Sequence, residues 1–129
     1  MKDDHPKINF GKTGVLLINL GTPDSTSWFD IRKYLKEFLS DQRVIEVNPI
    51  LWKIILNLFI LNLRPSKTAK AYKEIWMKKE NMSPLRYHTI MQTKKLLDKI
   101  SSKDVIVDYA MRYGHPSIKN KINKLQEAG

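Results

Sequence analysis

The chain reads as an α/β protein with a parallel sheet, and three observations predict it. Two short apolar runs, at 14–21 and 104–112, are rich in β-formers and lack polar alternation, the mark of strands covered on both faces. The stretches between and after them repeat apolar residues at helical spacing. Each run ends in a glycine-containing turn that feeds a helix, so the order is strand, helices, strand, helix.

The first strand is Gly14-Val15-Leu16-Leu17-Ile18-Asn19-Leu20-Gly21, and Thr22-Pro23-Asp24 breaks it. From Ser27 to Ser40, Ile31, Tyr34, Leu35, Phe38 and Leu39 fall on one helical face, with Ser25 or Ser27 as the cap. Arg43 to Val47 reads as a short strand or an extended connector, ended by Asn48-Pro49. Ile50 to Leu63 is the most apolar stretch. On a regular helix Lys53, Asn57 and Arg64 share a line, with Trp52 and Phe59 on the apolar side. Two readings of it stay open: a buried core helix, or an interfacial helix or wall of a large apolar ligand site. Arg64-Pro65-Ser66 is expected to interrupt the helix, with Ser66 capping the next, on which Ala69, Tyr72, Ile75 and Trp76 share a face. Ser83-Pro84 is a strong start signal for a helix to about Ile100, with Leu85, Ile90, Leu96 and Leu97 apolar. Asp104 to Arg112 is the second strand. After Tyr113-Gly114-His115-Pro116, a last helix runs from Ser117 to Ala128 with Ile118, Ile122 and Leu125 inward.

Two strands, and at most three, are too few to cover the centre of a parallel sheet. The chain also stops at Glu127-Ala128-Gly129, a helix end and cap glycine, where a further strand is expected. It reads as cut short, with 1–12 a disordered or extended start and 13–129 a partial domain.

Composition narrows the function classes. The 129 residues suit one domain, and a formal net charge of +10 points to an anionic partner. Residues 1–64 are nearly balanced, with nine basic against seven acidic side chains. Residues 65–129 hold fourteen against six, mostly lysines along helices, which reads as solvated helix faces. The absence of cysteine excludes disulfides, thiolate metal sites and a cysteine nucleophile within this chain. There is no arginine-rich or aromatic-interleaved tract, so nucleic acid is not the expected partner. The start lacks a signal-peptide core, and the apolar stretch is shorter than the roughly 20 residues of a spanning helix.

The strand ends, Asn19 to Pro23 and Arg112 to Pro116, are where an open parallel sheet gathers ligands. Neither turn is a Walker A or dinucleotide fingerprint. His5, His88 and His115 show no metal-ligand spacing, and His115 before Pro116 reads as a turn or capping residue. No serine sits in a nucleophile elbow. Read without any family, the chain is part of an α/β binding domain with an apolar lip and no visible catalytic group.

The segments GVLLINLGTPD, IRKYLKEFLSDQRVIEV, LNLRPSKTAKAYKEIW, SPL and YAMRYGHPSI, in that order, resemble the N-terminal portion of ferrochelatase over residues 13–129. Each piece is weak alone, and the joint pattern is specific. The resemblance implies a Rossmann-like, chelatase-type lobe, a parallel sheet flanked by helices and truncated before its last strand. It implies an apolar lip at about 49–64, and a lyase that inserts ferrous iron into protoporphyrin IX to make protoheme. Iron is a substrate there, and no cofactor is expected in this chain. Residues 50–63 are a peripheral membrane contact by the same resemblance, and the location is the cytoplasm or the inner membrane's surface.

Carried over by position, the porphyrin-facing residues are Arg64, Tyr72, Ser83, Leu20, Arg112 and Tyr113. Arg64 would meet an anionic propionate. Tyr72 also reads as a core aromatic, and Ser83 also as a helix cap. Leu20 stands where some members have Tyr or Met, so it offers apolar contact and no axial ligand. The family's metal-handling His and Glu lie in a second lobe, and no histidine here matches. No catalytic or metal residue is therefore expected in this chain, which is read as inactive alone and dependent on that second lobe. The alternative is a non-catalytic porphyrin- or membrane-surface-binding module.

Overall fold

The computed structural model describes residues 11–129. The expectation for residues 1–12 falls, apart from Gly11 and Lys12, outside the described residues, as does His5.

Strand β1 (Thr13–Gly21) and strand β2 (Val105–Tyr113) pair in parallel, from Thr13 opposite Val105 to Gly21 opposite Tyr113. Between them lie α1 (Trp28–Leu39), α2 (Pro49–Ile55), a π turn (Leu56–Ile60), α3 (Leu61–Ile75) and α4 (Pro84–Lys99), and α5 (Ile118–Glu127) comes after β2. The predicted α/β order with a parallel sheet is the observed one.

Local chemistry sets most boundaries. Ser27, Asn48, Ser83 and Ser117 each accept a backbone N–H of the helix they precede, which satisfies donors otherwise orphaned at a helix start. Pro49 and Pro84 sit in the first turn of their helices, where a missing N–H costs nothing. Ser25 does not cap α1. Its hydroxyl accepts from the Ser27 N–H and donates to Asp30.

The core lies beneath the helices. Ile31, Leu35 and Leu39 of α1 pack on Leu56, Leu61 and Ala69, with Phe38, Ile45, Trp52, Ile60 and Tyr72 at the edges. Leu56 and Leu61 are both buried although they are five residues apart. On a regular α-helix that spacing separates two side chains by about 140°. The π turn removes the conflict: the Leu61 N–H reaches back to the Leu56 carbonyl, five residues away, and the widened turn restores the inward face.

Several expectations are corrected. Pro65 does not interrupt the helix, and Ser66 is interior to α3 rather than a cap. The Pro65 ring is fully buried, and the irregular backbone falls one turn upstream, in the π turn. Residues 43–47 form no strand. Asp41 folds them into a turn: its carbonyl accepts from Val44 and Ile45, and its carboxylate from the Arg43 N–H. β1 is not covered on both faces among the described residues, since Ile18 and Leu20 are about half exposed. Trp52 turns inward and donates its indole N–H to the Leu39 carbonyl at 2.7 Å. On the later helices Ile75, Leu97 and Ile122 are exposed, whereas Thr89 and Thr93 are buried on α4. A threonine hydroxyl can return to a carbonyl one turn back, and both do so, to Leu85 and Thr89.

Candidate functional site

The carboxyl ends of the two strands lie side by side. Gly21 has φ 121°, and a Cβ there would stand 2.0 Å from the Tyr113 carbonyl oxygen. Only glycine lets β1 finish against β2 in this way. Gly114 turns at φ 84° directly after β2. Thr22 and Pro23 are buried.

A cluster of hydroxyls fills the space between this end of the sheet and the helices. The Tyr34 phenol donates to the Gly21 carbonyl at 3.3 Å. Tyr34 and Tyr72 face one another, and burial pushes both phenols above their ordinary pKa. The Thr22 hydroxyl faces Tyr72, yet it is buried without a hydrogen bond of good geometry. Tyr72 also shares an open cleft of about 440 Å³ with Arg64, Lys67, Thr68 and Ala71. Tyr72 therefore links the buried hydroxyl cluster to an exposed cationic surface.

Charged groups bind the strand ends to the helices. Asp24 pairs with Arg86 at 3.0 Å and with the Nδ1 of His115 at 3.1 Å. The same Arg86 nitrogen donates to the His115 carbonyl at 2.9 Å. Burial alone would raise the Asp24 pKa, but the Arg86 hydrogen bond and the nearby His115 hold it below the usual carboxylate range. On the other side, Tyr113 donates its phenol proton to Asp41 at 2.5 Å and Arg112 reaches the same oxygen at 3.3 Å. The Tyr113 hydrogen bond is the chief cause that lowers the Asp41 pKa, and Asp41 in turn raises the Tyr113 phenol.

The helix at 49–64 presents a lip. Ile50, Leu51, Ile54, Leu58, Phe59 and Leu63 are all at least half exposed. So many large apolar side chains in one short stretch mark an interaction surface rather than scattered exposure. The segment is mixed: Leu56 and Leu61 are buried in the core and Trp52 turns inward, while the six apolar residues above are exposed. The predicted single line of Lys53, Asn57 and Arg64 is broken. Lys53 and Asn57 line a cleft of about 310 Å³ beside Trp52 and Asp41, whereas Arg64 lines the Tyr72 cleft. The π turn supplies the reason, because one extra residue rotates the downstream helix by roughly a quarter turn.

The predicted site residues fall into separate groups. Arg64 and Tyr72 share one cleft. Arg112 and Tyr113 share Asp41, with the Arg112 guanidinium 5.5 Å from the Tyr113 ring centre. Leu20 is exposed beside Gly21, at the same end of the sheet. Ser83 is 2% exposed and caps α4 by accepting from Arg86 at 3.3 Å, which leaves its hydroxyl proton free to donate. Asp41, Tyr34 and the Asp24–Arg86–His115 group were not singled out by sequence. Their partners lie as far as 91 residues away, and no local spacing announces such a contact. Among the described residues no three His, Asp or Glu side chains gather as a metal site, and no helix is long and apolar enough to cross a membrane.

The exposed lip offers apolar area, and Arg64 makes no salt bridge with a described residue. Comparison with known proteins agrees with the resemblance. The ferrochelatase family model matches residues 12–129. The ferrochelatase of Allorhizobium ampelinum is 52% identical over 130 residues, covering 100% of this chain and 38% of that protein. The ferrochelatase of Francisella tularensis subsp. holarctica is 55% identical over 122 residues, covering 93% of this chain and 36% of that protein. That of Francisella tularensis subsp. tularensis is 54% identical over 122 residues, with 93% and 35% covered. The chain thus spans little more than a third of the length of these relatives, and it belongs to the ferrochelatase family.

Proposed function

We propose that this chain forms the porphyrin-binding wall and lip of an enzyme that inserts ferrous iron into protoporphyrin IX in heme biosynthesis. The observation that carries the reading is the exposed apolar row from Ile50 to Leu63 beside Arg64 and Tyr72. A porphyrin is a flat apolar ring with two propionates. The row would cover part of the ring, and Arg64 would meet a propionate with a charge-assisted hydrogen bond. Leu20, Ser83, Arg112 and Tyr113 would line the remaining approach at the strand ends.

The reaction exchanges two pyrrole N–H protons for one Fe²⁺. A cleft that bends the ring turns its nitrogens toward the metal, with strain drawn from binding at the periphery. This chain would supply peripheral binding. The base that takes the protons and the groups that handle iron belong to a second lobe, so the chain alone is inactive. We place the enzyme in the cytoplasm, peripheral on the inner membrane through residues 50–63, where the apolar row and the net charge of +10 favour an anionic surface.

Titration of the purified chain with protoporphyrin IX, followed by porphyrin fluorescence, tests binding. Saturable binding weakened by Arg64→Ala supports the reading, and no binding overturns it. Zinc insertion by the chain alone would overturn its inactivity. Co-sedimentation with vesicles separates the second reading, a module that binds only membrane surfaces. That module would bind anionic vesicles in a salt-sensitive way and ignore porphyrin.

A further inference from the structure

Asp41 touches both cleft residues that end β2, and it also stands at the root of the lip. Its Oδ2 takes the Tyr113 phenol proton at 2.5 Å and the Arg112 guanidinium at 3.3 Å, while its Oδ1 takes the Arg43 N–H at 2.9 Å. Its carbonyl closes the turn by accepting from Val44 and Ile45. That turn leads directly into Asn48 and α2. Two residues before Asp41, the Leu39 carbonyl receives the Trp52 indole N–H from the lip helix. Phe38 meets the Tyr113 ring edge-on at 5.2 Å, and Glu37 accepts the Gly114 N–H at 3.0 Å. The end of α1 is thus fastened to the end of β2 on one side and to the lip on the other.

The two Asp41 contacts differ in strength. The phenol contact is short and charge-assisted, and Tyr113 is 4% exposed. The Arg112 contact is longer, involves one nitrogen, and its side chain is 42% exposed. Tyr113 is therefore the fixed point, and Arg112 is the partner that can swing toward a ligand. The Asp41 carboxylate itself is partly exposed and outside the apolar core cluster, so its loss should alter position before it alters stability.

We propose that Asp41 is a positioning residue: it pins Tyr113 and, through its own turn, the root of the lip, so that one carboxylate sets the spacing between the lip and the strand ends. The inference rests on the porphyrin-cleft reading above and deepens it. In that cleft the spacing decides how well an inserted ring is gripped, although Asp41 itself touches no ligand.

The test uses the whole chain with Asp41→Ala, Asp41→Asn, Tyr113→Phe and the Asp41→Ala/Tyr113→Phe double variant. The chain has three tryptophans, so the Trp52 indole N–H is a resolvable NMR reporter of the lip root. In Asp41→Ala and Tyr113→Phe the Trp52 signal should shift and exchange faster with solvent. Protoporphyrin IX affinity should fall by about ten-fold in each, the scale of one charge-assisted hydrogen bond. The double variant should lose no more than either single one, because both break the same link. Asp41→Asn keeps an acceptor for the phenol and should recover part of the loss. An unmoved Trp52 signal with unchanged affinity in Asp41→Ala overturns the proposal, and so do single losses that multiply in the double variant. If the unmodified chain takes up no porphyrin, the cleft reading fails. The Trp52 signal still decides whether Asp41 positions the lip: a shift supports it and an unmoved signal overturns it.

Discussion

Leu61 and Leu63 lie two residues apart on α3, yet their fates differ: Leu61 is 0% exposed and Leu63 is 74% exposed. Truncating each to alanine tests the register that the π turn imposes. At Leu61 the change empties a space bounded by Ile31, Leu35, Leu39, Leu56 and Ala69. Such a cavity costs about 2–5 kcal/mol, through lost transfer energy and incomplete collapse. A chain of this size has a total stability of about 5–15 kcal/mol, so the loss is a large fraction. For a domain of this length it corresponds to a fall in Tm of roughly 6–20 °C. Leu63 faces solvent, and the change there should stay within about 0.5 kcal/mol. The consequence at Leu63 is functional: a lip residue that inserts into a ligand or bilayer contributes about 1.5–3 kcal/mol when fully covered. Leu63→Ala should therefore weaken porphyrin or vesicle binding by about three- to ten-fold, a half-covered leucine's share. Urea unfolding of both variants, followed by far-UV circular dichroism, reads the first half, and a binding titration reads the second. Equal destabilisation by the two variants, or a loss under about 1 kcal/mol at Leu61, would show that the inward face is wrongly placed.

The same geometry has other testable consequences. In a complete enzyme carrying this segment, Arg64→Ala should raise the porphyrin KM about ten-fold and leave the iron KM unchanged, since a guanidinium–carboxylate contact is lost and no metal contact is; steady-state kinetics with each substrate varied checks it. Gly21→Ala should cost about 3 kcal/mol or more, because φ 121° and a 2.0 Å approach to the Tyr113 carbonyl oxygen leave no room for Cβ; a thermal melt reads it. Asp24 is held below the usual carboxylate range, so its contribution is complete above about pH 4, the ordinary aspartate value, and is lost as pH falls through the lower folded value. The group is partly exposed, and solvent screening limits the effect to about 1 kcal/mol or less. The stability gap between the natural chain and Asp24→Asn should therefore narrow as pH falls below the ordinary aspartate range, as followed by urea midpoints across a pH series.

Local signals carried much of the fold. Ser83-Pro84 and Asn48-Pro49 announce helix starts through capping chemistry that depends on a few neighbouring residues. The two apolar runs announce strands for the same reason. Other features were set by distant context. Arg43 to Val47 has the composition of a strand, but Asp41 supplies three acceptor contacts that bend it into a turn. Pro65 looks like a helix break, since proline removes a donor and crowds the preceding turn. It stays inside α3 because the backbone irregularity is moved upstream to Leu56–Ile60. The site was legible in the same uneven way. Arg64 and Tyr72 are reached through the family resemblance; periodicity, with a break expected at Pro65, does not place them on one helix. Asp41 and Tyr113, 72 residues apart, are paired by no local pattern.

The π turn also accounts for a helix that is at once core and lip. An unbroken α-helix from Pro49 to Ile75 would carry one apolar stripe, and burying Leu61, Pro65 and Ala69 would direct Leu56 away from the core. With the extra residue, Leu56 joins them inside while Leu58, Phe59 and Leu63 stay outside. The outward set then owes nothing to stability and is free to be as apolar as a ligand or bilayer demands. Its aggregation hazard is offset by a net charge of +10 on the chain. The same rotation moves Arg64 away from Lys53 and into the cleft with Tyr72. One inserted residue thus separates two cations that periodicity would align. It leaves an arginine with no salt bridge to a described residue at the end of the lip, where an anionic group on an apolar ring would arrive.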